Sequence, residues 1–202
     1  LRAIIFIMEF VYFKGQKEDM FGLYDENNYC SICGKYDECF GLQYALTTLY
    51  SDEEKEGKIG CYQCLREGKF EFWHDTEFGV LDENGFSKIY NHNADNPPVL
   101  SKSTLAEMRR TPQIITWQQK LWLCHCNDFM IYKGIWEPLD FYKNSPTGDG
   151  RDLFMEMTNK ESNHLWDDSL QDGIKILEEW YPTYYVFECR HCGKLRGNWD
   201  CA

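Results

Sequence analysis

Residues 30–35 read CSICGK, and residues 189–194 repeat the same pattern as CRHCGK. Two residues between paired cysteines let both sulfurs converge on one point from a single turn, as tetrahedral zinc requires. The glycine that follows each pair can adopt the positive φ of such a turn, and we expect its N–H to point at a sulfur. Each hexapeptide therefore predicts a zinc knuckle.

A third pair, Cys61 and Cys64, follows the first knuckle after a spacer of 27 residues. The spacer holds a mostly apolar, Thr-rich run at 39–50, predicted as a strand or hairpin, and then a charged loop at 51–58. We expect this pair to lie at the first turn of a short helix, whose positive end favours thiolates. Knuckle, hairpin and helix in this order predict a treble-clef-like zinc module. Its predicted ligands are Cys30, Cys33, Cys61 and Cys64.

The C-terminal knuckle provides two ligands of a second site and leaves the other two open. The candidates are Cys124, His125, Cys126 and Cys201. Adjacent residues seldom both bind one zinc ion, because their side chains diverge. A strand over 117–126 would place Cys124 and Cys126 on one face, whereas a helix would align Cys124 with Trp117 instead. Cys201 is near in sequence but lies on a fraying end. Residue geometry alone leaves these alternatives open.

The cysteine pattern also indicates the compartment. Disulfide scaffolds are usually short secreted chains with spread cysteines, whereas most of the 10 cysteines here are clustered. We therefore expect zinc, two ions in all, and a reducing cytoplasm. The apolar run at residues 3–8 is shorter than the hydrophobic region of a signal peptide, and Glu9 interrupts it. Met8 is the expected start of the native protein, with residues 1–7 additional.

Charge and composition restrict the partners. The chain has 202 residues, a formal net charge of -12 and a sequence pI of about 4.8. Nucleic-acid binding depends on positive charge, so a nucleic-acid partner is not expected. No stretch approaches the roughly 20 apolar residues of a membrane span, so a membrane protein is excluded. A basic protein is the expected kind of partner, and the oligomeric state stays open.

The remaining pattern predicts an α+β fold in two parts. The predicted elements outside the knuckles are strands at 9–13, 184–188 and 195–199, and helices at 103–110 and 163–180. Ser103 is the expected N-cap of the first of these helices, and Pro112 ends it. A loop rich in Asn and Pro at 89–98 predicts a boundary. We expect a treble-clef-like zinc module at 9–90 and an α+β part with the second zinc knuckle at 99–202.

The central and C-terminal motifs resemble the CbrC-like family, which is named for a bacterial protein associated with tolerance to a colicin. The residues that carry this resemblance are Arg110-Thr111-Pro112, Trp117-Gln118-Gln119, Trp122-Leu123-x-His125-Cys126-x-Asp128 and Tyr185-x-Phe187-x-Cys189-x-His191-Cys192-Gly193-Lys194. Both N-terminal cysteine pairs match as well, and the resemblance covers about residues 12–200. It implies a bacterial cytoplasmic protein and favours His125 and Cys126 over Cys124. The ligands expected for the second site are then His125, Cys126, Cys189 and Cys192.

Two classes of function follow from these sites. A catalytic zinc has three protein ligands and a water. If only Cys126, Cys189 and Cys192 bind the ion, a water could complete the site with Asp128 or His125 as the base. A zinc-dependent hydrolase, or a thiol-redox enzyme, could therefore use the His125, Cys126, Cys189 and Cys192 site. The chain lacks the His-x-Glu of zinc deaminases, a glycine-rich phosphate loop and a Gly-x-Ser-x-Gly elbow. We therefore expect a non-catalytic protein with structural zinc that acts by binding proteins. The resemblance, joined to the acidity, implies toxin tolerance or immunity against a basic toxin domain.

Overall fold

A computed structural model of the chain describes residues 10–87, 97–118, 121–158, 166 and 182–201. Within these ranges the protein is a mixed α/β structure of small antiparallel sheets and four short α-helices. The α+β class is confirmed at this level. None of the described helices combines the length and the apolarity needed to cross a membrane.

Residues 10–87 form short strands around a single described α-helix, α1 (Tyr62–Arg66). Two 3₁₀ turns lie at Lys17–Asp19 and Leu42–Tyr44. The strands are β1 (Asn28–Tyr29), β2 (Tyr36–Asp37), β3 (Cys39–Gly41), β4 (Ala45–Leu46), β5 (Ile59–Cys61), β6 (Glu71–Phe72), β7 (His74–Thr76), β8 (Gly79–Asp82) and β9 (Gly85–Ser87). β1 pairs with β2, β3 with β5 and β4 with β6, while β7, β8 and β9 form one sheet in that order.

The second half places a three-stranded sheet beside short helices. Its elements are α2 (Lys102–Arg109), β10 (Cys124–His125), β11 (Asp128–Phe129), β12 (Ile131–Trp136), α3 (Pro138–Asn144), α4 (Gly150–Met157), β13 (Pro182–Glu188) and β14 (Leu195–Cys201). β10 and β11 form a hairpin, and β12, β13 and β14 form the sheet in that order. The C-terminal knuckle is the connection between β13 and β14, which pair along their full length.

The described side chains form two apolar cores. The larger core joins residues from both halves of the chain, for example Phe40 and Phe72 with Trp122 and Phe187. The smaller core packs α3 and α4 against the three-stranded sheet through Trp136, Phe141, Leu153, Phe154, Met157, Tyr184 and Val186. The larger core thus contains side chains from both sides of the predicted boundary at 89–98. The two-part organisation at 9–90 and 99–202 stays a prediction.

The structure corrects two local predictions and confirms a third. The run at 39–50 contains two short strands, but each pairs with a later strand and not with the other. Ser101 is the N-cap of α2, because its Oγ accepts the N–H of Thr104; the assignment of Ser103 was wrong by two residues. β13 and β14 confirm the strands at 184–188 and 195–199.

Two predictions concern segments at the edge of what is described. Residues 10–13 form no strand of their own, although Phe13 bridges Tyr132 and the Tyr132 N–H donates to the carbonyl oxygen of Tyr12. The predicted helix at 163–180 lies almost entirely outside the described residues.

Candidate metal centres

The first cluster brings together the four cysteines predicted for the N-terminal module. The sulfurs of Cys30, Cys33, Cys61 and Cys64 all lie within 4.8 Å of one another. The Cys30 and Cys64 sulfurs are 3.8 Å apart, and those of Cys33 and Cys61 are 3.6 Å apart. Four sulfurs at 2.3 Å from one central ion would be separated by roughly 3.8 Å in a regular tetrahedron. The cluster therefore has the size of a tetrathiolate zinc site.

The first knuckle is a tight backbone turn. The Cys30 N–H donates to the carbonyl oxygen of Lys35, and the Gly34 N–H donates to the carbonyl oxygen of Cys30, both at 2.8 Å. Gly34 has φ +73, which confirms the need for glycine at this position. Its N–H, however, bonds a carbonyl oxygen and not a sulfur, so that part of the prediction was wrong.

Other backbone N–H groups bond the sulfurs of the first cluster. Burial raises the pKa of Cys30, but N–H groups of Cys33, Cys61 and Ile32 bond the thiolate and bring the pKa down to about 7. Cys61 is the N-cap of α1, so the second pair does lie at the start of a short helix. Burial, and then the neighbouring thiols, raise the pKa of Cys64. Four clustered thiols ionise together only where a cation compensates their charge.

The second cluster joins β10, the turn after it and the C-terminal knuckle. Ligand atoms of His125, Cys126, Cys189 and Cys192 all lie within 4.8 Å of one another. The Cys126 and Cys192 sulfurs are 3.9 Å apart, and the Cys192 sulfur is 3.5 Å from Nδ1 of His125. One sulfur and one nitrogen bound to the same tetrahedral zinc would be separated by roughly 3.5 Å. These four residues are the set that the family resemblance favours.

An unusual turn explains how adjacent residues reach one point. His125 and Asp128 face each other in the β10–β11 hairpin, so the loop is only Cys126 and Asn127. These have φ +52 and +56, as in a type I′ turn. Left-handed backbone costs a non-glycine residue about 1–2 kcal/mol. It turns the Cys126 side chain away from the face that an extended strand would give it. The expected divergence of adjacent ligands is thereby overcome.

The second knuckle repeats the backbone bonds of the first. The Cys189 N–H donates to the carbonyl oxygen of Lys194 at 2.8 Å, and Gly193 has φ +73. Burial raises the pKa of Cys189, but N–H groups of His191 and Cys192 bond the thiolate and bring the pKa down to about 6. Partial desolvation, and then the sulfurs of the knuckle, raise the pKa of Cys126 to about 11.

Two further cysteines among the described residues, Cys39 and Cys124, lie outside both clusters. Cys39 is fully buried, and its thiol contacts the carbonyl oxygens of Asp37 and Asn28. Burial raises its pKa to about 12, so this thiol stays protonated at neutral pH. Cys124 is buried on β10 and takes no part in the second cluster. The side chain of Cys201 lies outside the described residues.

The comparisons with known proteins show the family of the chain. A family model described as Uncharacterised protein family (UPF0167) matches residues 8–201. The chain belongs to this family. The match includes every residue of both clusters. No solved structure matches the chain.

Sequence reasoning missed the residues that surround the second cluster. Asp128 is a candidate base in the enzyme alternative, but the sequence does not predict its contacts with Tyr12 and His191. Nor does it predict the contacts of Glu77, whose carboxylate accepts two bonds from Arg196 and one from the Cys124 N–H. No sequence signal pairs residues so far apart without an alignment. The cysteine spacing identified the clusters because their ligands come in local pairs.

Proposed function

We propose that the chain is a two-zinc protein in which both ions are structural. One ion is bound by the four cysteines of the first cluster and the other by the His-Cys₃ set of the second. The observation that carries this proposal is the pair of clusters, each with four donor atoms within 4.8 Å. Four protein ligands close a tetrahedral zinc site, whereas catalytic zinc keeps one position for water. A zinc-dependent hydrolase at His125 and Cys126 is therefore the weaker alternative.

Structural zinc suits the way the two clusters are built into the fold. The first cluster joins β5, α1 and the knuckle into the larger core, and the second joins two segments more than 60 residues apart. Binding of zinc to such a site contributes about 10–16 kcal/mol to folding. The order of knuckle, short strands and helix around the first site supports a treble-clef-like module.

The finer proposal is that this scaffold acts by binding another protein. Within the described ranges, large aromatic side chains are exposed around the first knuckle, where Tyr29 and Tyr36 form a ring pair at 5.0 Å. Exposed tyrosines are common anchors of interfaces. The net charge of -12 favours a basic partner. Together with the resemblance to the CbrC-like family, this supports a role in the cytoplasm in tolerance to a basic toxin domain.

Metal analysis of the purified chain tests the first proposal. Native mass spectrometry is expected to find two zinc ions per chain, and one after Cys126→Ser. Carbamidomethylation before denaturation is expected to spare the cysteines of both clusters. A chain without zinc that carries disulfides between these cysteines would contradict the proposal.

Binding assays with basic toxin domains test the partner proposal separately. A stable complex whose affinity falls with added salt would support it, because ionic strength screens charge complementarity. Replacing both Tyr29 and Tyr36 with Ser should weaken that complex and leave the zinc content at two. Failure of the zinc-loaded chain to bind any such domain, or to protect cells that express it, would count against it.

A further inference from the structure

Asp128 lies in the hairpin of the second cluster but is not one of its four ligands. Its side chain is only 10% exposed, and it faces His125 across the β10–β11 pair. Oδ1 accepts the phenol O–H of Tyr12 at 2.8 Å and the N–H of Phe129 at 2.9 Å. This half of the carboxylate is therefore held by the hairpin itself and by the N-terminal segment.

The other carboxylate oxygen faces the C-terminal knuckle. Oδ2 lies 2.9 Å from Nε2 of His191 and 3.6 Å from the guanidinium of Arg190. These are the two residues between the paired cysteines of the knuckle. The Arg190 guanidinium also lies over the ring of Tyr12, 5.7 Å from its centroid. One carboxylate thus contacts three separate segments of the chain.

The contacts of Asp128 are linked to the ligand Cys189 through the backbone of the knuckle. The backbone N–H of His191 bonds the thiolate of Cys189. His191 therefore contacts Asp128 through its side chain and the ligand Cys189 through its backbone. Moving the knuckle away from the hairpin would leave the buried Asp128 carboxylate without its partners, which costs free energy. The contact therefore holds the hairpin and the knuckle at a fixed separation. The ligands His125 and Cys126 come from one side of this contact, and Cys189 and Cys192 come from the other.

We propose that Asp128 is the positioning residue of the second zinc site, because it docks the C-terminal knuckle against the hairpin that provides the other two ligands. The inference rests on the proposed function, in which this cluster binds zinc. Asp128 acts through Arg190 and His191 and does not bind the metal. The first knuckle is docked without a carboxylate, because Ser31 donates its N–H to the carbonyl oxygen of Ile59 and its Oγ accepts the N–H of Ile59.

The test compares Asp128→Asn with Glu188→Gln in the zinc-loaded chain of 202 residues. Glu188 precedes Cys189 and forms a surface ion pair with Lys133, so its variant removes one negative charge at the same knuckle. Zinc transfer to a chelator is followed by native mass spectrometry, and alkylation of each cysteine identifies the site that has lost its ion. The cobalt-substituted proteins are compared by their visible absorption.

We expect Asp128→Asn to weaken zinc binding at the second site by about 10–100-fold, as loss of outer-shell partners does elsewhere. Cys126 and Cys192 should be alkylated early, while Cys33 stays protected at the wild-type level. The cobalt bands of the second site should shift, and those of the first should not. Glu188→Gln should behave as the wild type.

Equal zinc release from Asp128→Asn and Glu188→Gln would overturn the proposal, and so would an equal loss from both sites. If Asp128→Asn does not fold, His191→Ala decides, because this side chain is half exposed and its removal leaves no cavity. It should selectively speed release from the second site, and unchanged release would overturn the inference. A wild-type chain without two zinc ions would instead contradict the proposed function itself.

Discussion

The two clusters share one hexapeptide pattern and differ in their surroundings. In the first, Cys30, Cys61 and Cys64 are almost completely buried and only Cys33 is exposed. In the second, Cys126 and Cys192 are both exposed, and Cys189 alone is fully buried. The knuckle is therefore a local structure, whereas burial of the metal depends on what the rest of the chain packs around it.

The two clusters also differ in how they are assembled. The first draws its ligands from a continuous stretch, 30–64, and lies within the larger core. The second joins residues 125–126 to 189–192 and depends on a strained two-residue turn. Closing a longer loop costs only slightly more entropy, so distance along the chain is the smaller difference. We expect the first site to support the core and the second to connect two segments.

The largest effect should come from Cys33→Ser. The Cys33 side chain is exposed, so the substitution removes a metal ligand without leaving a cavity in the core. Most of the roughly 10–16 kcal/mol that structural zinc can supply would be lost, an amount comparable to the whole stability of an ordinary domain. Circular dichroism and thermal denaturation should show that the larger core no longer unfolds cooperatively. An unchanged melting curve would contradict the central role of the first site.

Cys126→Ser should have a smaller effect of the same kind. The larger core retains the first zinc site, so the chain should stay folded, bind one zinc ion and melt at a lower temperature. Because Ser relieves none of the strain at φ +52, Cys126→Gly is the matched variant that separates loss of the ligand from relief of strain. A melting temperature for Cys126→Ser below that of Cys33→Ser would reverse the proposed ranking of the two sites.

Metal removal should follow the same order without any substitution. A chelator or a mild thiol oxidant reaches exposed sulfurs first, so the second site should lose its zinc before the first. Native mass spectrometry would then pass through a one-zinc species whose Cys126 and Cys192 are open to alkylation. Simultaneous loss of both ions, with no one-zinc species, would show that the sites do not differ in stability.

The smallest effect should come from cysteines that lie beside the clusters. Cys39→Ala removes a buried thiol next to the first site but no ligand. We expect a loss of about 1–2 kcal/mol from the cavity, as for other small deletions in a core, with two zinc ions still bound. Cys124→Ala should likewise retain both ions. Loss of a zinc ion from either variant would show that the ligand sets are wrong.

The cysteine pairs could be predicted from the sequence because the chemistry is local. Spacing identified both knuckles, the glycine at φ +73 and the helix start after Cys61. Strand pairing could not be predicted in the same way, since β3 and β4 each pair with a later strand across the charged loop. Pairing of such short strands depends on tertiary packing, to which propensity is only a weak guide.

The ligands of the second cluster could not be chosen from residue geometry either. Residue geometry left Cys124, His125, Cys126 and Cys201 open, and the family resemblance favoured two of them. The deciding feature is the left-handed backbone of Cys126 and Asn127. A Cys-Asn dipeptide is a weak signal for a type I′ turn, because Asn tolerates this conformation and Cys has no preference for it. The strain is stable only because the surrounding structure fixes it.

X-ray absorption at the zinc edge tests the central claim most directly. The two clusters contain seven sulfurs and one imidazole nitrogen, so the average ion should have 3.5 sulfur neighbours at about 2.3 Å and 0.5 nitrogen neighbours at about 2.0 Å. Cys126→Ser, with only the first site filled, should raise the average to four sulfurs. Oxygen-rich coordination, or a purified chain that contains no zinc, would contradict the account.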